Sequence, residues 1–255
     1  MKDLSLAREL AGRLEVVAES GSTNVDLRSH VADAAAWPHL SVLLTDNQTA
    51  GRGRLDRTWF APAGSALAIS VLLRALPANP TARGWIPLLA GVAMADAIAT
   101  QLPDRHVAVK WPNDVLVDDR KICGILAEAS GDAVVVGSGV NTAMTAPQLP
   151  VTTATSFAVA GVTVDEDRLL ADYLSALDFQ LAALAQTGDA VASGLHAAVT
   201  ARCSTIGRRV RVSMPGDQTL EGVAVGLDAD GRLLVDADGA VQAISAGDVV
   251  HVRPA

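Results

Sequence analysis

The 255-residue sequence predicts an α+β fold: a mixed, mainly antiparallel central sheet flanked by helices, followed by a small β-barrel-like module. Three observations carry this. Between residues 106 and 141 the runs HVAVKW, VLVDD, KICGILAE and DAVVVGSGVN are β-rich and separated only by PND, DDR and SGD. Turns that short join antiparallel neighbours, because parallel strands need long crossovers. Residues 84–102 are apolar nearly all round, the pattern of a helix buried in a core. From residue 207 the runs RRVRVSM, EGVAVGL, RLLVDA, QAISAGD and VVHVRP alternate with turns such as MPGD and DADG, and no helix-period segment remains.

The other elements follow in chain order. The strand-like LEVVAE (14–19) precedes GSTN, where Ser22 or Thr23 can cap a helix over 25–36. Trp37-Pro38 ends that helix. SVLLTDNQ (41–48) reads as a buried strand, GRGRLDRTW (51–59) as the loop after it, and SALAISVLLR (65–74) as a second apolar strand. A Pro-rich connector leads to the core helix. Beyond the meander, Thr163-Val164-Asp165-Glu166 reads as a capping box opening a long helix to about residue 185, and a second helix covers about 189–203.

Composition narrows the function classes. A formal net charge of -8 argues against a general nucleic-acid binder, because such affinity rests on phosphate neutralisation by Lys and Arg. The longest apolar runs are broken before the length of about 18 residues that a membrane span needs, and the start MKDLSLAREL lacks the apolar run of a signal peptide. The two cysteines, Cys123 and Cys203, have neither a disulfide framework nor metal-ligand spacing and read as buried thiols in a reduced cytoplasm.

Three clusters are able to carry chemistry. In residues 51–59 glycines allow close backbone approach, and three arginines suit phosphate or carboxylate oxygens. Alone, this loop reads equally well as a solvated hairpin tip. Lys110-Trp111-Pro112-Asn113-Asp114 is followed seven residues later by Lys121, and the hairpin between them brings both lysines to one sheet. Either ammonium can hold an anionic oxygen or simply snorkel at the surface. Gly137-Ser138-Gly139-Val140-Asn141 closes a strand and permits close ligand approach or a tight turn. No Ser-His-Asp or Cys-His pairing is readable, and no metal cluster appears.

Taken in order, GSTN (21–24), Gln48, GRGRLDRTW (51–59), KWPND (110–114), RKICGILAE (120–128) and GSGVNTAM (137–144) resemble the motifs of biotin protein ligases, over residues 20–145. The resemblance implies the class II synthetase-like, biotin–lipoate ligase fold for residues 1–205 as a catalytic biotin- and ATP-binding domain. It also implies an SH3-like β-barrel for residues 206–255. The implied reaction is two-step biotinylation: biotin and Mg²⁺-ATP give biotinyl-5'-AMP, whose acyl group passes to one lysine of a biotin carboxyl carrier domain. Acyl-CoA carboxylases are the implied carriers.

By the same resemblance Ser22, Thr23 and Gln48 hydrogen-bond the biotin rings with Asn24 alongside, and Gly124, Gly137 and Gly139 belong to the biotin site. Arg52, Gly53 and Arg54 belong to the loop that closes over biotin and adenylate. Trp59 is implied near the adenine, Asn141 facing the base, and Lys121 on the biotin carboxylate and α-phosphate. Lys121 and Arg54 are therefore the expected catalytic cations, of the kind that offsets developing phosphate charge. Asn113 and Asp114 are placed at the Mg²⁺-phosphate edge. Lys110 is assigned either to ATP or to a structural ion pair. Two departures stand out. Asp56 occupies a position where the family loop usually carries Gly, which implies looser loop closure. Only about 20 residues precede GSTN, too few for the winged-helix DNA-binding domain of some relatives, so no nucleic-acid partner is expected. Lipoate or octanoyl attachment on the same fold, or a non-catalytic biotin sensor, remain as alternatives; KWPND with GRGR favours biotin, and the intact cations favour catalysis.

Overall fold

An apolar helix with no polar face needs partners on every side, and the computed structural model supplies them. It describes residues 3–252 apart from 56, 215–217 and 246. The elements in chain order are α1 Ser5–Leu10, β1 Arg13–Val16, α2 Thr23–Ser29, β2 Ser41–Thr45, β3 Gly51–Arg52, β4 Thr58–Trp59, β5 Ala66–Leu73 and α3 Ile86–Gln101. They continue with β6 Val107–Lys110, β7 Asp114–Val117, β8 Arg120–Ser130, β9 Ala133–Asn141, α4 Glu166–Thr187 and α5 Leu195–Arg202. The last five are β10 Arg209–Met214, β11 Gln218–Leu227, β12 Leu233–Ala237, β13 Ala240–Ile244 and β14 Asp248–His251.

Seven strands form the central sheet in the order β1-β2-β5-β9-β8-β7-β6. Only the β1–β2 pair is parallel; the other pairs are antiparallel, and among them β6–β7, β7–β8 and β8–β9 are so because the short turns of the meander require it. Helix α3 packs between this sheet and α4, with Leu89, Ala93 and Met94 fully buried. It is the one described helical stretch, Thr81–Gln101, apolar and long enough to cross a membrane by composition, and most of it is buried in this core. The opposite face of the sheet carries α2 and the 51–59 loop, whose ends pair as the short hairpin β3–β4.

Three helical boundaries differ from the sequence expectation. The helix after GSTN ends at Ser29 rather than near 36, because His30 stacks on Trp37 at 4.3 Å and turns replace the last helical turns. At α4 the cap is Asp165, whose carboxylate accepts from the Arg168 amide, and the box expected at Thr163 does not form. Residues 189–194 form a turn in which Asp189 accepts from the Val191 and Ala192 amides, delaying α5 to Leu195.

The C-terminal runs form a five-stranded antiparallel sheet in the order β13-β12-β11-β10-β14; among the described residues no β13–β14 pairing closes it into a barrel. Its inner face, with Val210, Val212, Leu233 and Val235, joins the main hydrophobic core. Three ring N–H or ring nitrogen contacts fasten the 227–231 segment: Trp85 Nε1 donates to Ala229 O, Trp111 Nε1 donates to Gly231 O, and His196 Nε2 lies 3.1 Å from Leu227 O.

His251 on β14 reports on this docking. The Thr205 hydroxyl accepts from the Trp111 amide and lies 3.2 Å from His251 Nε2. Burial, then the nearby Lys110 and Arg208 charges, lower the His251 pKa to about 4, with Asp119 opposing. The unfolded chain thus takes up a proton near the ordinary histidine pKa of about 6.5 while the folded protein does not. Stability is expected to fall as pH drops from 6.5 to about 4 and to lose no more through this group below that. Thermal melts across this range should show a shallower slope for His251→Asn; an unchanged slope would place the titration elsewhere.

Candidate active site

The central sheet has a row of missing side chains. The registers place Ala68 of β5 opposite Gly139 of β9, Gly139 opposite Gly124 of β8, and Gly124 opposite Asp114 of β7. A second row runs Ser70, Gly137, Leu126. These glycines bring bare backbone to the sheet surface at the point where α2 and the 51–59 loop rise above it. The result is a cavity of about 180 Å³ with protein on most sides.

The space above each glycine is used by a named side chain. Any Cβ on Gly137 would overlap the Asn24 amide; on Gly139 it would stand 2.7 Å from Cε2 of Trp59; on Gly124 it would stand 2.9 Å from Lys121 Nζ. Gly139→Ala therefore has to lift the Trp59 indole, which belongs to the loop side and packs against the cluster of Ala61, Ala66 and Met144. Gly137→Ala has to move an amide held from three directions. We expect Gly137→Ala to cost about 1–3 kcal/mol of stability in denaturant titrations and Gly139→Ala less, since a loop yields more easily than a sheet-anchored network. Equal costs would contradict that difference.

One end of the cavity is neutral and hydrogen-bonding. Gln48 Oε1 accepts from the Thr23 amide (2.9 Å) and hydroxyl (3.1 Å), which turns Gln48 Nε2 toward Gly51. Among the described residues no partner takes that Nε2 or the Ser22 hydroxyl, which makes no capping bond to α2, and both residues line the cavity. Asn24 is spent: Nδ2 donates to Leu126 O and to Glu128 Oε2 at 2.8 Å, and Oδ1 accepts from Ser70 Oγ at 2.6 Å.

The other end is cationic. Lys121 Nζ sits 2.6 Å from Asp114 Oδ1, both on the wall. Above it the loop turns tightly, with Gly53 N donating to Arg57 O, and Leu55 adopts a left-handed φ of 54°. Arg54 reaches across the cavity mouth: Nη1 donates to Asn113 Oδ1 (3.1 Å) and Nη2 to Gly247 O, just before β14 (3.2 Å). Asn113 is itself fixed, its Nδ2 donating to Ile125 O. Asp56 lies outside the described residues.

Of the residues the sequence put forward, Ser22, Thr23, Asn24, Gln48, Arg52, Gly53, Arg54, Trp59, Asn113, Asp114, Lys121, Gly124, Gly137 and Gly139 line this one cavity. Two lie off its wall. Lys110 is opposite Asp114 in register but lies close enough to His251 for its charge to act there. Asn141 is buried with its Nδ2 donating to Thr155 O, tying β9 to the following strap. Sequence reasoning missed Ser70, Arg57 and Glu128. Glu128 ends the quoted run RKICGILAE, but its partners Asn24, Arg28 and Arg52 are distant in sequence. Below the floor the Ser138 and Tyr173 hydroxyls meet at 3.1 Å, and burial raises the pKa of both Tyr173 and Cys123, so neither is an anion or a nucleophile at neutral pH.

Comparison with known proteins shows the family. The Biotin/lipoate A/B protein ligase family matches residues 21–141, and the Biotin protein ligase C terminal domain matches residues 205–252. The chain is 40% identical over 244 residues to the biotin--[acetyl-CoA-carboxylase] ligase of Mycobacterium tuberculosis, covering 94% of this chain and 90% of that one. The Aquifex aeolicus biotin protein ligase, solved in complex with biotin and ATP, superposes with a TM-score of 0.77 at 25% identity over 95% of this chain and 100% of that one. The Leishmania major enzyme, solved with biotinyl-5-AMP, gives 0.62 at 27% identity over 92% and 99%. With 40% identity over nearly the whole length of a biotin ligase, and family models matching both its catalytic and its C-terminal parts, this chain belongs to the Biotin/lipoate A/B protein ligase family, among its biotin protein ligases.

Proposed function

We propose that this chain activates biotin with ATP as biotinyl-5'-AMP and transfers the biotinyl group to the ε-amine of one lysine on a biotin carboxyl carrier domain. The observation that carries the reading is the polarity of the cavity: neutral donors at one end, Lys121 and Arg54 at the other, over a floor open enough for a fused-ring substrate. Gln48 Nε2 and Ser22 Oγ suit a ureido ring, and Thr23 holds Gln48 in the orientation that presents its donor. Lys121 suits the valeryl carboxylate and the α-phosphate beside it.

In the first step a carboxylate oxygen attacks the α-phosphorus and the bond to pyrophosphate breaks. Both reactants are anions, so the fixed cation of Lys121 offsets their repulsion and the charge that builds on the α-phosphate. In the second step the carrier amine, deprotonated, attacks the acyl carbon and AMP leaves. No protein nucleophile is required. The loop, pinned at Arg54, excludes water that would otherwise hydrolyse the mixed anhydride.

A magnesium ion fits here only as one borne on the nucleotide's phosphates, which suits its preference for few carboxylates and several other oxygens. Among the described residues Asp114 is the carboxylate on the cavity wall, and they contain no group of three metal-ligating side chains. When bound, the ion would neutralise phosphate charge. We assign the chemistry to residues 1–205 and read 206–255 as the module that pins the loop through Gly247. We place the enzyme in the cytoplasm, in keeping with its free buried thiols. The carriers would be acyl-CoA carboxylases or similar biotin-dependent enzymes. Biotin-dependent ATP–pyrophosphate exchange, followed by label transfer to a carrier domain, tests the reading. Exchange with lipoate and none with biotin would sink it.

A further inference from the structure

Glu128 is the residue at this site whose bonding the reaction does not explain. It lies near the end of β8, beyond the neutral end of the cavity, with its side chain 18% exposed. One carboxylate serves three partners. Oε2 accepts from Asn24 Nδ2 at 2.8 Å, while Oε1 accepts from Arg28 Nη1 of α2 at 3.0 Å and from Arg52 Nη2 of the loop at 2.9 Å. Sheet, helix and loop therefore converge on one negative charge. Arg52 engages that charge on the protein, so its guanidinium is held at the Glu128 position of β8. Asn24 is oriented by the same carboxylate: with Glu128 and Leu126 O both acceptors, the amino group must face them and the carbonyl must face Ser70.

We propose that Glu128 is a positioning residue that latches the neutral end of the loop to the sheet through Arg52 and sets the Asn24 amide beside the ring-binding donors. The inference rests on the biotin–ATP reading of the cavity. The two ends of the loop are then held separately: Arg54 pins it to Asn113 and the terminal sheet, and Arg52 to Glu128. A bond to an exposed guanidinium is weak alone, but three charge-assisted bonds sharing one half-buried acceptor order each other.

The test compares wild type, Glu128→Gln, Glu128→Ala, Arg52→Ala and the Glu128→Ala/Arg52→Ala pair. Readouts are the melting temperature, biotin affinity without nucleotide, subtilisin cleavage within 51–59, and the dissociation rate of biotinyl-5'-AMP. Glu128→Gln keeps a neutral acceptor for Asn24 and loses the charge for both arginines. It should raise loop cleavage and adenylate dissociation about three- to tenfold with biotin affinity within about twofold of wild type. Glu128→Ala should also weaken biotin binding, and the double variant should release adenylate no faster than Glu128→Ala, since both remove one latch. Multiplicative effects in the double variant, or wild-type release in Glu128→Gln, would overturn the latch. Should Glu128→Ala fail to fold, Glu128→Gln with Arg52→Ala forms the same cycle. Absence of biotin-dependent exchange in wild type would instead be a failure of the functional reading.

Discussion

Lys121→Ala is expected to lower adenylate formation about 10²- to 10³-fold, the usual loss when one fixed electrostatic stabiliser of a transition state is removed. Lys121 is the lysine on the cavity wall, and it lies in ordinary side-chain exposure at the surface of β8, so its removal leaves no hole in the core. It does leave the Asp114 carboxylate unbalanced where the phosphates must come. Part of the loss should therefore be recovered by adding Asp114→Asn, a rescue that a purely structural lysine would not show. Lys121→Arg should not substitute: Nζ already sits within 2.9 Å of the space above Gly124, and a guanidinium needs more room. Pyrophosphate exchange under saturating biotin and ATP measures the first step directly. Turnover near wild type in Lys121→Ala would mean that another group carries the anionic charge.

Arg54→Ala should release biotinyl-5'-AMP into solution about 10- to 100-fold faster, the equivalent of one or two hydrogen bonds to a charged donor. The guanidinium reaches acceptors on different parts of the molecule, Asn113 Oδ1 in the turn before β7 and Gly247 O just before β14. Lysine cannot bridge both with one point charge, so Arg54→Lys should leak nearly as much. Rapid gel filtration after a single turnover, with free adenylate quantified, gives the rate. Retention equal to wild type would remove the roof role from this arginine. On the proposed reading, a terminal module far from the glycine floor in sequence would bear on the reaction by supplying one anchor of the roof, Gly247 O.

Most of the architecture was legible because it rests on local patterns. Short turns dictated the antiparallel meander, continuous apolarity dictated the buried α3, and the alternating runs after residue 207 dictated the second sheet. Where expectation and structure part, tertiary contacts outweighed local propensity. Residues 31–36, VADAAA, favour helix, yet the stacking of His30 on Trp37, with the Arg13 guanidinium 4.2 Å from the same indole, turns the chain instead. Thr163 and Glu166 match a capping box by spacing, but Gln101 bonds both backbone groups of Asp165 and fixes that residue as the cap.

The site divides in the same way. By itself the sequence determined which residue types meet: glycines for backbone approach, arginines and Lys121 for anions, small hydroxyls and amides for a neutral ring, in an order that marks one family. It had no means of deciding which polar atoms stay free for a ligand. That depends on partners 14 to 193 positions away: Thr23 spends one end of Gln48, Glu128 spends Arg52 and Asn24, Thr155 spends Asn141, and Gly247 shares Arg54. A hydrogen-bonding group has a fixed number of donors and acceptors, and only the folded sheet, by bringing those distant partners within about 3 Å, settles how many remain for substrate.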